Sequence, residues 1–317
     1  MIRLLQNAVA TLVDLLPRRQ TPEQRRLGQR LASDLQAIAA SPLAGARSEF
    51  WRETCLELCA CAEDGDADYF MRWPPIARTM VHGTTPHALA AYRLLRRSPG
   101  WRGHWSAALH YAEFGHPPPF LRDLRTNAVA IQHASHLLLF AEATGRSFLD
   151  ADCIVELGGG YGSMCGLAHR LGYRGCYVIF DQPPVLALQR YYLGLHGLEA
   201  AYASDEPAAR IALCRSLGEV VSIVAAGGFK RISLISTWAL SEMPLGLRQE
   251  LEALIELEAL AQVLLSYQTK FTGIDNRRYF TDLLERTNRR FAWRHFEIEF
   301  LVDNYYAFGL AKAPRAQ

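Results

Sequence analysis

The chain has 317 residues, of which 50% are hydrophobic and 21% are charged. This composition excludes a disordered or collagen-like protein, and the length suits one large domain or two small ones. The 34 Lys and Arg residues nearly balance the 32 Asp and Glu residues, for a formal net charge of +2. The balance gives no electrostatic basis for a nucleic-acid or anionic-membrane partner.

The N-terminus predicts an amphipathic helix rather than a leader. Polar residues interrupt any apolar segment of the kind that a signal peptide needs, and no stretch reaches the roughly 18 apolar residues of a membrane span. We expect this helix to pack on the body or to form a homodimer with a second copy. Its apolar residues recur at helical spacing: Ile2, Leu5, Val9, Leu12 and Leu16.

Seven cysteines are scattered along the chain, and Cys55, Cys59 and Cys61 cluster. Their spacing lacks the paired CxxC of structural zinc sites, so we interpret them as small hydrophobic residues on a helix. An odd cysteine count without a signal peptide indicates a reducing compartment, and we expect a cytoplasmic protein.

The first 145 residues predict a helical N-terminal region that serves as an extension or lid. Helix starts at Thr21-Pro22 and Thr85-Pro86 carry capping signals, and Gly145 is a typical helix terminator. The predicted helices begin at 22, cover 48–62, run from 86 to about 97, and run from about 124 to 144.

From residue 146 onward, short apolar runs alternate with helical patterns. This alternation predicts an α/β domain over residues 146–317, with a parallel sheet and helices on both faces. Two final alternating strands, joined at Asp303-Asn304, predict an antiparallel edge hairpin. Residues 200–231 are ambiguous, and Val220–Val224 is a candidate strand. The other expected strands are 153–157, 176–180, 232–235, 263–265, 295–301 and 305–310, and the expected helices are 163–171, 185–196, 246–261 and 275–287.

A glycine-rich loop follows the first of these strands. Gly158, Gly160 and Gly162 fit GxGxG, whereas the dinucleotide pattern GxGxxG fails at Ser163. Glu156 precedes the loop, and an acid there suits the cationic groups of S-adenosylmethionine better than a pyrophosphate. Asp181 ends the next strand, where a carboxylate can accept hydrogen bonds from ribose hydroxyls. NAD sites also have a carboxylate at this position, so Asp181 does not distinguish a site for NAD from a site for S-adenosylmethionine.

Five segments resemble the sugar O-methyltransferases of bacterial natural-product and polysaccharide gene clusters. The segments are ELGGGYGSM at 156–164, YVIFDQP at 177–183, LQRYYL at 188–193, ISTWALSEMP at 235–244 and GIDN at 273–276. The resemblance extends over roughly residues 105 to 312. It implies a Rossmann-like class I methyltransferase fold, with a mostly parallel seven-stranded sheet and an antiparallel terminal hairpin. It also implies S-adenosylmethionine as the methyl donor and a small-molecule acceptor, in the simplest case a sugar hydroxyl.

We expect the donor to contact the ends of the first three strands. Alternatives are a nicotinamide-dependent oxidoreductase, a methyltransferase for a carboxylate, amine or peptide, and a non-catalytic subunit that keeps the fold. Trp238 could stack on adenine or on a sugar, or belong to the core. The expected donor contacts are Glu156, Gly158, Gly159, Gly160, Tyr161, Ser163, Met164, Asp181, Gln182, Ser236, Thr237 and Trp238.

A hydroxyl acceptor needs a group that removes its proton. Glu242 is the first candidate base, although it could simply be a first-turn carboxylate of the next helix. His133 and Tyr111 are further candidates, and packing is the alternative for His133. Arg122 and Arg125 could reach a carboxylate or serve surface solvation. Histidines 104, 110, 116 and 136 lie in the same part of the chain as His133.

Asp275-Asn276 is similar to the Asp-Asn pair of metal-dependent, catechol-type methyltransferases. Those enzymes also carry an aspartate after the preceding strand, where this chain has Ser236-Thr237, so we do not expect a divalent metal. A helix N-cap is the alternative for Asp275. The acceptor pocket is expected between residues 101–120, rich in aromatic side chains, and the loops that carry Trp238, Glu242 and Asp275.

Overall fold

The computed structural model describes residues 20–40 and 48–313. The helix predicted over Ile2–Leu16 lies outside the described residues. Within the described ranges, no helix combines the length and the apolar character needed to cross a membrane.

The N-terminal region is helical, as predicted. Thr21 and Gln24 form a reciprocal capping box at the first helix, with backbone-to-side-chain hydrogen bonds of 3.2 and 2.8 Å. The last helix of the region begins only after Asn127, whose side chain accepts from the Ala130 amide, and so starts later than residue 124. The helices are α1 Pro22–Ala39, α2 Glu49–Asp64, α3 Pro74–Thr79, α4 Pro86–Arg97, α5 Ser106–Leu109 and α6 Ala128–Thr144, with helical turns at Ala67–Arg72 and Trp101–Trp105.

The cysteines of α2 are packing residues. Cys55 and Cys59 are buried, and Cys61 is half-buried against the same core. None of these three cysteines forms a disulfide within the described residues. The interpretation of these residues as small hydrophobic side chains on a helix is confirmed.

The C-terminal part forms an eight-stranded sheet in the order β3-β4-β2-β1-β5-β6-β10-β9, with a separate β7-β8 ribbon. The strands from β3 to β6 in this order are parallel, and β10 and β9 add an antiparallel edge hairpin. The strands are β1 Cys153–Leu157, β2 Cys176–Phe180, β3 Ala200–Tyr202, β4 Ile211–Cys214, β5 Ile232–Thr237, β6 Leu260–Gln268, β7 Lys270–Phe271, β8 Ile274–Asp275, β9 Phe291–Glu297 and β10 Asn304–Ala311.

Helices cover both faces of the sheet. Consecutive residues of β1 point to opposite faces, so that Ile154 packs with the N-terminal helices and Val155 with the other core cluster. The N-terminal helices thus share one core with the sheet. The connecting helices are α7 Ser163–Arg170, α8 Pro183–Leu195, α9 Leu217–Gly227, α10 Ala239–Glu242, α11 Leu245–Ile255 and α12 Asn276–Thr287.

The predicted Rossmann-like α/β fold is confirmed, with eight strands in the main sheet instead of seven. Val220–Val224 is helical rather than a strand, because a capping box of Ser216 and Glu219 starts α9 there. The helix expected over 246–261 ends at Ile255, and Leu260 already belongs to β6. The first hairpin strand lies earlier than predicted, at Phe291–Glu297, so its connection to β10 spans 298–303.

Candidate active site

The glycine loop between β1 and α7 turns through left-handed backbone. Gly158, Gly160 and Gly162 have φ values of +72°, +55° and +98°. A Cβ added at Gly158 would lie 2.2 Å from the Cβ of Ala239, so only glycine allows the loop to pass this close to α10. The loop therefore leaves its backbone open toward the carboxyl ends of the strands, where open α/β sheets bind ligands.

Glu156 is a buried acid at the end of β1, with 2% of its surface exposed. Its Oε2 accepts a hydrogen bond of 2.8 Å from the Tyr177 hydroxyl. Burial raises the pKa of Glu156 to about 7, although this hydrogen bond opposes the rise. A positive charge nearby would favour the ionised carboxylate.

Asp181 is tied to the glycine loop through Gln189. The Gln189 amide donates to Asp181 Oδ2 at 2.8 Å and to the Gly160 carbonyl at 2.9 Å. Asp181 Oδ1 accepts a hydrogen bond of 2.8 Å from the backbone N–H of Gln182. These bonds hold the carboxylate of β2 in a fixed position relative to the loop of β1.

A cavity of about 490 Å³ opens above these strand ends, and we call it the front cavity. One side consists of the glycine loop and strand ends. The other side is formed by α2, the segment before α4, α6 and the β9-β10 connection. Its lining residues are Trp51, Thr79, Met80, His82, Thr85, Pro86, His87, Val129, Gln132, His133, Glu156, Gly158, Gly159, Gly160, Tyr161, Ser163, Asp181, Gln182, Val185, Thr237, Trp238, Ala239, Glu242, Met243, Gln268, Phe300, Leu301 and Asn304.

The front cavity has a distinct charge pattern. Three carboxyl groups line it, from Glu156, Asp181 and Glu242. Of the Lys and Arg residues in the described part of the chain, none lines it. The cavity therefore suits a ligand with positive charge near its strand-end side and offers no cation to an anionic ligand.

Most of the residues predicted to contact the donor lie together on the strand-end side of the front cavity. Met164 and Ser236 do not line it. Met164 is buried in the core, and the Ser236 hydroxyl accepts a hydrogen bond of 2.9 Å from the Leu240 amide. These two residues shape the loops without facing the cavity.

Trp238 turns the chain where β5 ends. Its φ is +66°, a left-handed conformation that costs a non-glycine residue roughly 1–2 kcal/mol. The indole Nε1 donates to Asn304 Oδ1 at 2.7 Å, and the Trp238 amide donates to the Ser266 carbonyl at 2.8 Å. The ring thereby lines the front cavity and also packs against the core.

Glu242 lies at the end of α10, the helix that follows β5, and lines the same cavity. Trp51 Nε1 donates to its Oε2 at 2.8 Å, and the Gln268 amide donates to its Oε1 at 3.3 Å. Burial raises the pKa of Glu242 to about 7, while these two hydrogen bonds oppose the rise. A carboxyl group with a pKa near neutrality is matched to proton transfer at neutral pH.

A buried arginine holds the loop that carries Glu242. Arg248 donates to the carbonyls of Ser241 and Met243, which flank Glu242, and to Asn276 Oδ1, each at 2.7 Å. Burial lowers the pKa of Arg248 to about 10. The three bonds fix the backbone on both sides of Glu242, and nothing in the sequence analysis singled out Arg248.

Histidines form much of the wall opposite the glycine loop. His133 lines the front cavity, and its Nδ1 has no hydrogen-bond partner among the described residues. Burial lowers the pKa of His133 to about 3 and that of His82 to about 4, so both rings are neutral at pH 7. His87 Nδ1 lies 3.0 Å from the Glu299 carbonyl, which fixes Nδ1–H and leaves Nε2 as an acceptor.

His82, His87 and Trp51 were missed by the sequence analysis. His82 and His87 flank the helix start at Thr85-Pro86. This helix-start motif was the feature of the sequence that could have drawn attention to the segment. Trp51 gave no local signal, because its contact with Glu242 joins positions 191 residues apart.

Tyr111 and residues 101–120 lie away from the front cavity, contrary to the expected pocket. The Tyr111 hydroxyl donates to Glu113, and its ring lies 3.6 Å from the Arg170 guanidinium carbon. Burial, with the nearby negative Glu113, raises the pKa of Tyr111. The aromatic side chains of this segment instead pack into the core around α4 and α7, and Trp51 and Phe300 supply the aromatic side chains opposite the loop.

The remaining polar candidates have structural partners outside the front cavity. Asp275 is the N-cap of α12, and its Oδ1 accepts from the Arg278 amide at 3.1 Å. Asn276 is buried and bonded to Arg248 and the Ser241 carbonyl. Arg125 pairs with Asp123 at 2.9 Å, and Arg122 does not line the cavity. Among the residues at 20–40 and 48–313, no cluster of three or more His, Cys, Asp or Glu could hold a metal ion.

No family model matches the sequence, and no curated protein does either. Similar solved structures include the methyltransferase domain of bacterial CtHen1-CN, with 12% identity, a TM-score of 0.39, and coverage of 56% of this chain and 97% of that one. The ribosomal protein L11 methylase from Lactobacillus delbrueckii subsp. bulgaricus has 16% identity, a TM-score of 0.37, and coverage of 58% and 80%. The 16S rRNA methyltransferase RmtF in complex with S-adenosyl-L-homocysteine has 14% identity, a TM-score of 0.36, and coverage of 89% and 98%. At these values the likeness concerns the fold alone.

Proposed function

We propose that this protein is an S-adenosylmethionine-dependent O-methyltransferase that acts on a hydroxyl group of a small, uncharged molecule, with a sugar as the acceptor class. The charge pattern of the front cavity carries the proposal. Carboxylates face the ligand, and no lysine or arginine of the described chain lines the cavity. A dinucleotide would bring a pyrophosphate that meets no lysine or arginine of the described chain and that the carboxylates of the cavity would repel.

The strand-end side fits the donor. Glu156 and Asp181 lie beside a glycine loop that exposes its backbone, and Asp181 is oriented by Gln189. Asp181 would accept hydrogen bonds from the ribose hydroxyls, and Glu156 would attract the positive charge of the donor. When bound, S-adenosylmethionine supplies an electrophilic methyl group on a sulfonium.

Glu242 would take the acceptor's proton. Methyl transfer forms a bond between the acceptor oxygen and the methyl carbon, and the electrons of the broken carbon–sulfur bond go to sulfur. The hydroxyl proton passes to a Glu242 carboxylate oxygen, whose pKa of about 7 leaves it partly ionised at neutral pH. Trp51 and Gln268 orient this carboxyl group through the hydrogen bonds described above.

The opposite wall favours an uncharged hydroxyl acceptor. His87 presents a neutral ring nitrogen that can accept a hydrogen bond, and Gln132 adds amide groups. Trp51 and Phe300 provide flat apolar surfaces of the kind that pack on sugar rings. An anionic acceptor would meet Glu242 without a compensating cation.

The donor part is tested by calorimetry of the full chain with S-adenosylhomocysteine and, separately, with NADH. We expect S-adenosylhomocysteine to bind and NADH not to bind. Asp181→Ala should weaken binding by about 100-fold, because two hydrogen bonds to a charged group are lost. Asp282→Ala removes an exposed aspartate of α12 and should bind as the wild type does. Binding of NADH alone would refute the proposal.

The acceptor part is tested by release of S-adenosylhomocysteine from S-adenosylmethionine with a panel of methyl glycosides and the matching uronic acids. We expect turnover only with uncharged glycosides. Glu242→Gln should lower kcat by about 100-fold or more without changing donor affinity. Turnover of a uronic acid with Glu242→Gln as active as the wild type would show that the acceptor is a carboxylate that needs no base.

A further inference from the structure

A second pocket, the back pocket, lies between the C-terminal ends of α7 and α8 and the residue before β4. Its volume is about 300 Å³. Three arginines and two histidines contribute to its wall, and none of the lining residues of this described region is acidic. The lining residues are Gly166, His169, Arg170, Arg174, His196, Leu198 and Arg210.

Arg170 is the innermost cation of the back pocket. Its Nε donates to the Ala108 carbonyl at 2.9 Å. Both terminal nitrogens are buried and have no hydrogen-bond partner among the described residues. A Cβ at Gly166 would lie 3.2 Å from Arg170 Nη1, so glycine leaves room for the guanidinium. The Tyr111 ring covers the guanidinium at 3.6 Å, so that Arg170 has an aromatic contact but no oxygen acceptor at its four terminal N–H donors.

Backbone carbonyls hold the two arginines of the rim, since Arg174 Nη1 donates to the His169 and Tyr173 carbonyls at 2.9 and 2.8 Å and Arg210 Nη2 donates to the Arg174 carbonyl. The Nδ1–H of His169 donates a hydrogen bond of 2.9 Å to the Cys165 carbonyl. The other ring nitrogen, Nε2, is buried and has no hydrogen-bond partner in the described chain. Burial lowers the pKa of His169, and the positive charges of Arg210 and Arg174 lower it further. Arg210 and Arg174 thus place positive charge beside the His169 ring.

One acid lies near the back pocket without lining it. Glu113 Oε1 is 3.6 Å from His196 Nε2, and Glu113 also accepts hydrogen bonds from Tyr111 and Asn127. This single negative charge does not balance three arginines. The pocket keeps a net positive charge that suits a doubly charged oxyanion.

The back pocket is separate from the donor site. Arg174 precedes β2 and Arg210 precedes β4, so both lie at the amino ends of the parallel strands. The glycine loop and Asp181 lie at the opposite, carboxyl ends. Among residues 20–40 and 48–313, none lines both cavities.

We propose that the back pocket binds a phosphate group, from inorganic phosphate or from a small phosphate ester. Arg174 and Arg210 would donate to the phosphate from the rim of the pocket, and the positive charge of Arg170, whose terminal nitrogens are buried beneath it, would attract the anion. A phosphate offers acceptor oxygens on several sides, and guanidinium groups match this arrangement with paired N–H donors. The site is independent of the methyl-transfer reaction proposed above.

The test is calorimetry of the full chain in a phosphate-free buffer of low ionic strength. Inorganic phosphate and glucose 6-phosphate are titrated separately, which distinguishes the free ion from an ester. We expect one site per chain with millimolar or tighter affinity for at least one of them. Affinity should fall at least about tenfold when salt is raised to about 0.5 M, since rim charges are screened.

Arg174→Gln/Arg210→Gln should weaken binding at least about tenfold, because each arginine supplies a charge-assisted contact. Both side chains are exposed, and Arg210→Gln alone provides the test if the double variant does not fold. Arg102→Gln/Arg289→Gln removes two exposed positive charges elsewhere in the described chain and should bind as the wild type does.

Three results would overturn the proposal. One is affinity weaker than about 10 mM for both probes. The second is equal weakening in the two double variants, which would indicate diffuse attraction to positive charge. The third is displacement of phosphate by S-adenosylhomocysteine, which would place the anion in the front cavity. None of these results bears on donor binding.

Discussion

Two arginines show how differently the front cavity and the back pocket are built. Arg248, beside the front cavity, is fully buried, and each of its three guanidinium nitrogens donates to a protein oxygen. Arg170, in the back pocket, bonds only through Nε. A guanidinium with an oxygen acceptor at each of its three nitrogens stabilises the fold, whereas one with two buried nitrogens that lack an acceptor can still bind an added oxyanion.

The same contrast holds for the whole cavities. Carboxyl groups and neutral imidazoles line the front cavity, and cations line the back pocket. The chain as a whole has nearly equal numbers of acidic and basic residues. Its acidic side chains line the cavity at one end of the sheet, and its basic side chains line the pocket at the other end. Net charge alone could not reveal this separation, because opposite local charges cancel in the sum.

The largest expected effect concerns Arg248. Arg248→Met keeps much of the side-chain volume but leaves the Met243 carbonyl and the Asn276 amide oxygen without this donor, and the Ser241 carbonyl with only the Asn276 amide at 3.0 Å. We expect the free energy of unfolding to fall by about 3 kcal/mol or more, as measured by urea denaturation at pH 7. Arg170→Met should cost only about 1 kcal/mol, because a single bonded donor is lost. Equal losses in the two variants would contradict the comparison between the arginines.

The strand ends and the glycine loop were predictable from sequence. The boundaries of β1 and β2 agree with their apolar runs, because strands buried on both faces contain few polar residues. The position of Asp181 at the edge of the sheet was predictable because this residue directly follows the apolar run of β2. The order β2-β1-β5 then brings these ends to one edge of the sheet.

The other wall of the front cavity was not predictable in the same way. Trp51, His87 and Phe300 come from distant segments, and only tertiary packing brings them near Glu242. The aromatic residues of 101–120 were expected there, but their apolar surface is used in the core instead. Aromatic composition indicates burial, and it does not indicate which surface is covered.

Gly158 and Gly160 provide a second test of how the front cavity is built. Both have positive φ, but only at Gly158 would a Cβ meet another residue, at 2.2 Å from Ala239. Gly158→Ala should cost about 3 kcal/mol of unfolding free energy, from backbone strain plus overpacking. Gly160→Ala should cost about 1 kcal/mol, from strain alone. Urea denaturation of the two variants measures the difference, and similar values would mean that α10 yields to the added methyl group.

A third expectation concerns the neutral imidazoles. The pKa of His133 is about 3 in the folded protein, against about 6.5 in an unfolded chain. As the pH falls below 6.5, the unfolded chain takes up the proton first, so the stability present above that pH is lost. At pH 5 the loss is about 2 kcal/mol.

His133→Leu should remove that part of the acid sensitivity. The measurement is the free energy of unfolding in urea at pH 7 and at pH 5. His104→Leu, at an exposed position, is the control and should keep the wild-type difference between the two pH values. An unchanged pH difference in His133→Leu would show that this ring is not held neutral by burial.

The smallest expected effect concerns Glu156. Its pKa of about 7 means that the carboxylate ionises as the pH rises from about 5.5 to 7.5. The ionised form attracts the donor's positive charge, so the affinity for S-adenosylmethionine should rise about tenfold over this range. Glu156→Gln should bind with the weaker affinity at every pH, whereas Glu285→Gln, at an exposed position of α12, should keep the rise. Glu242 has a similar pKa in the same cavity, so Glu242→Gln decides which acid is responsible. If the rise disappears in Glu242→Gln and persists in Glu156→Gln, the donor's cation lies on the Trp51 side of the cavity, and the assignment of the two sides is reversed.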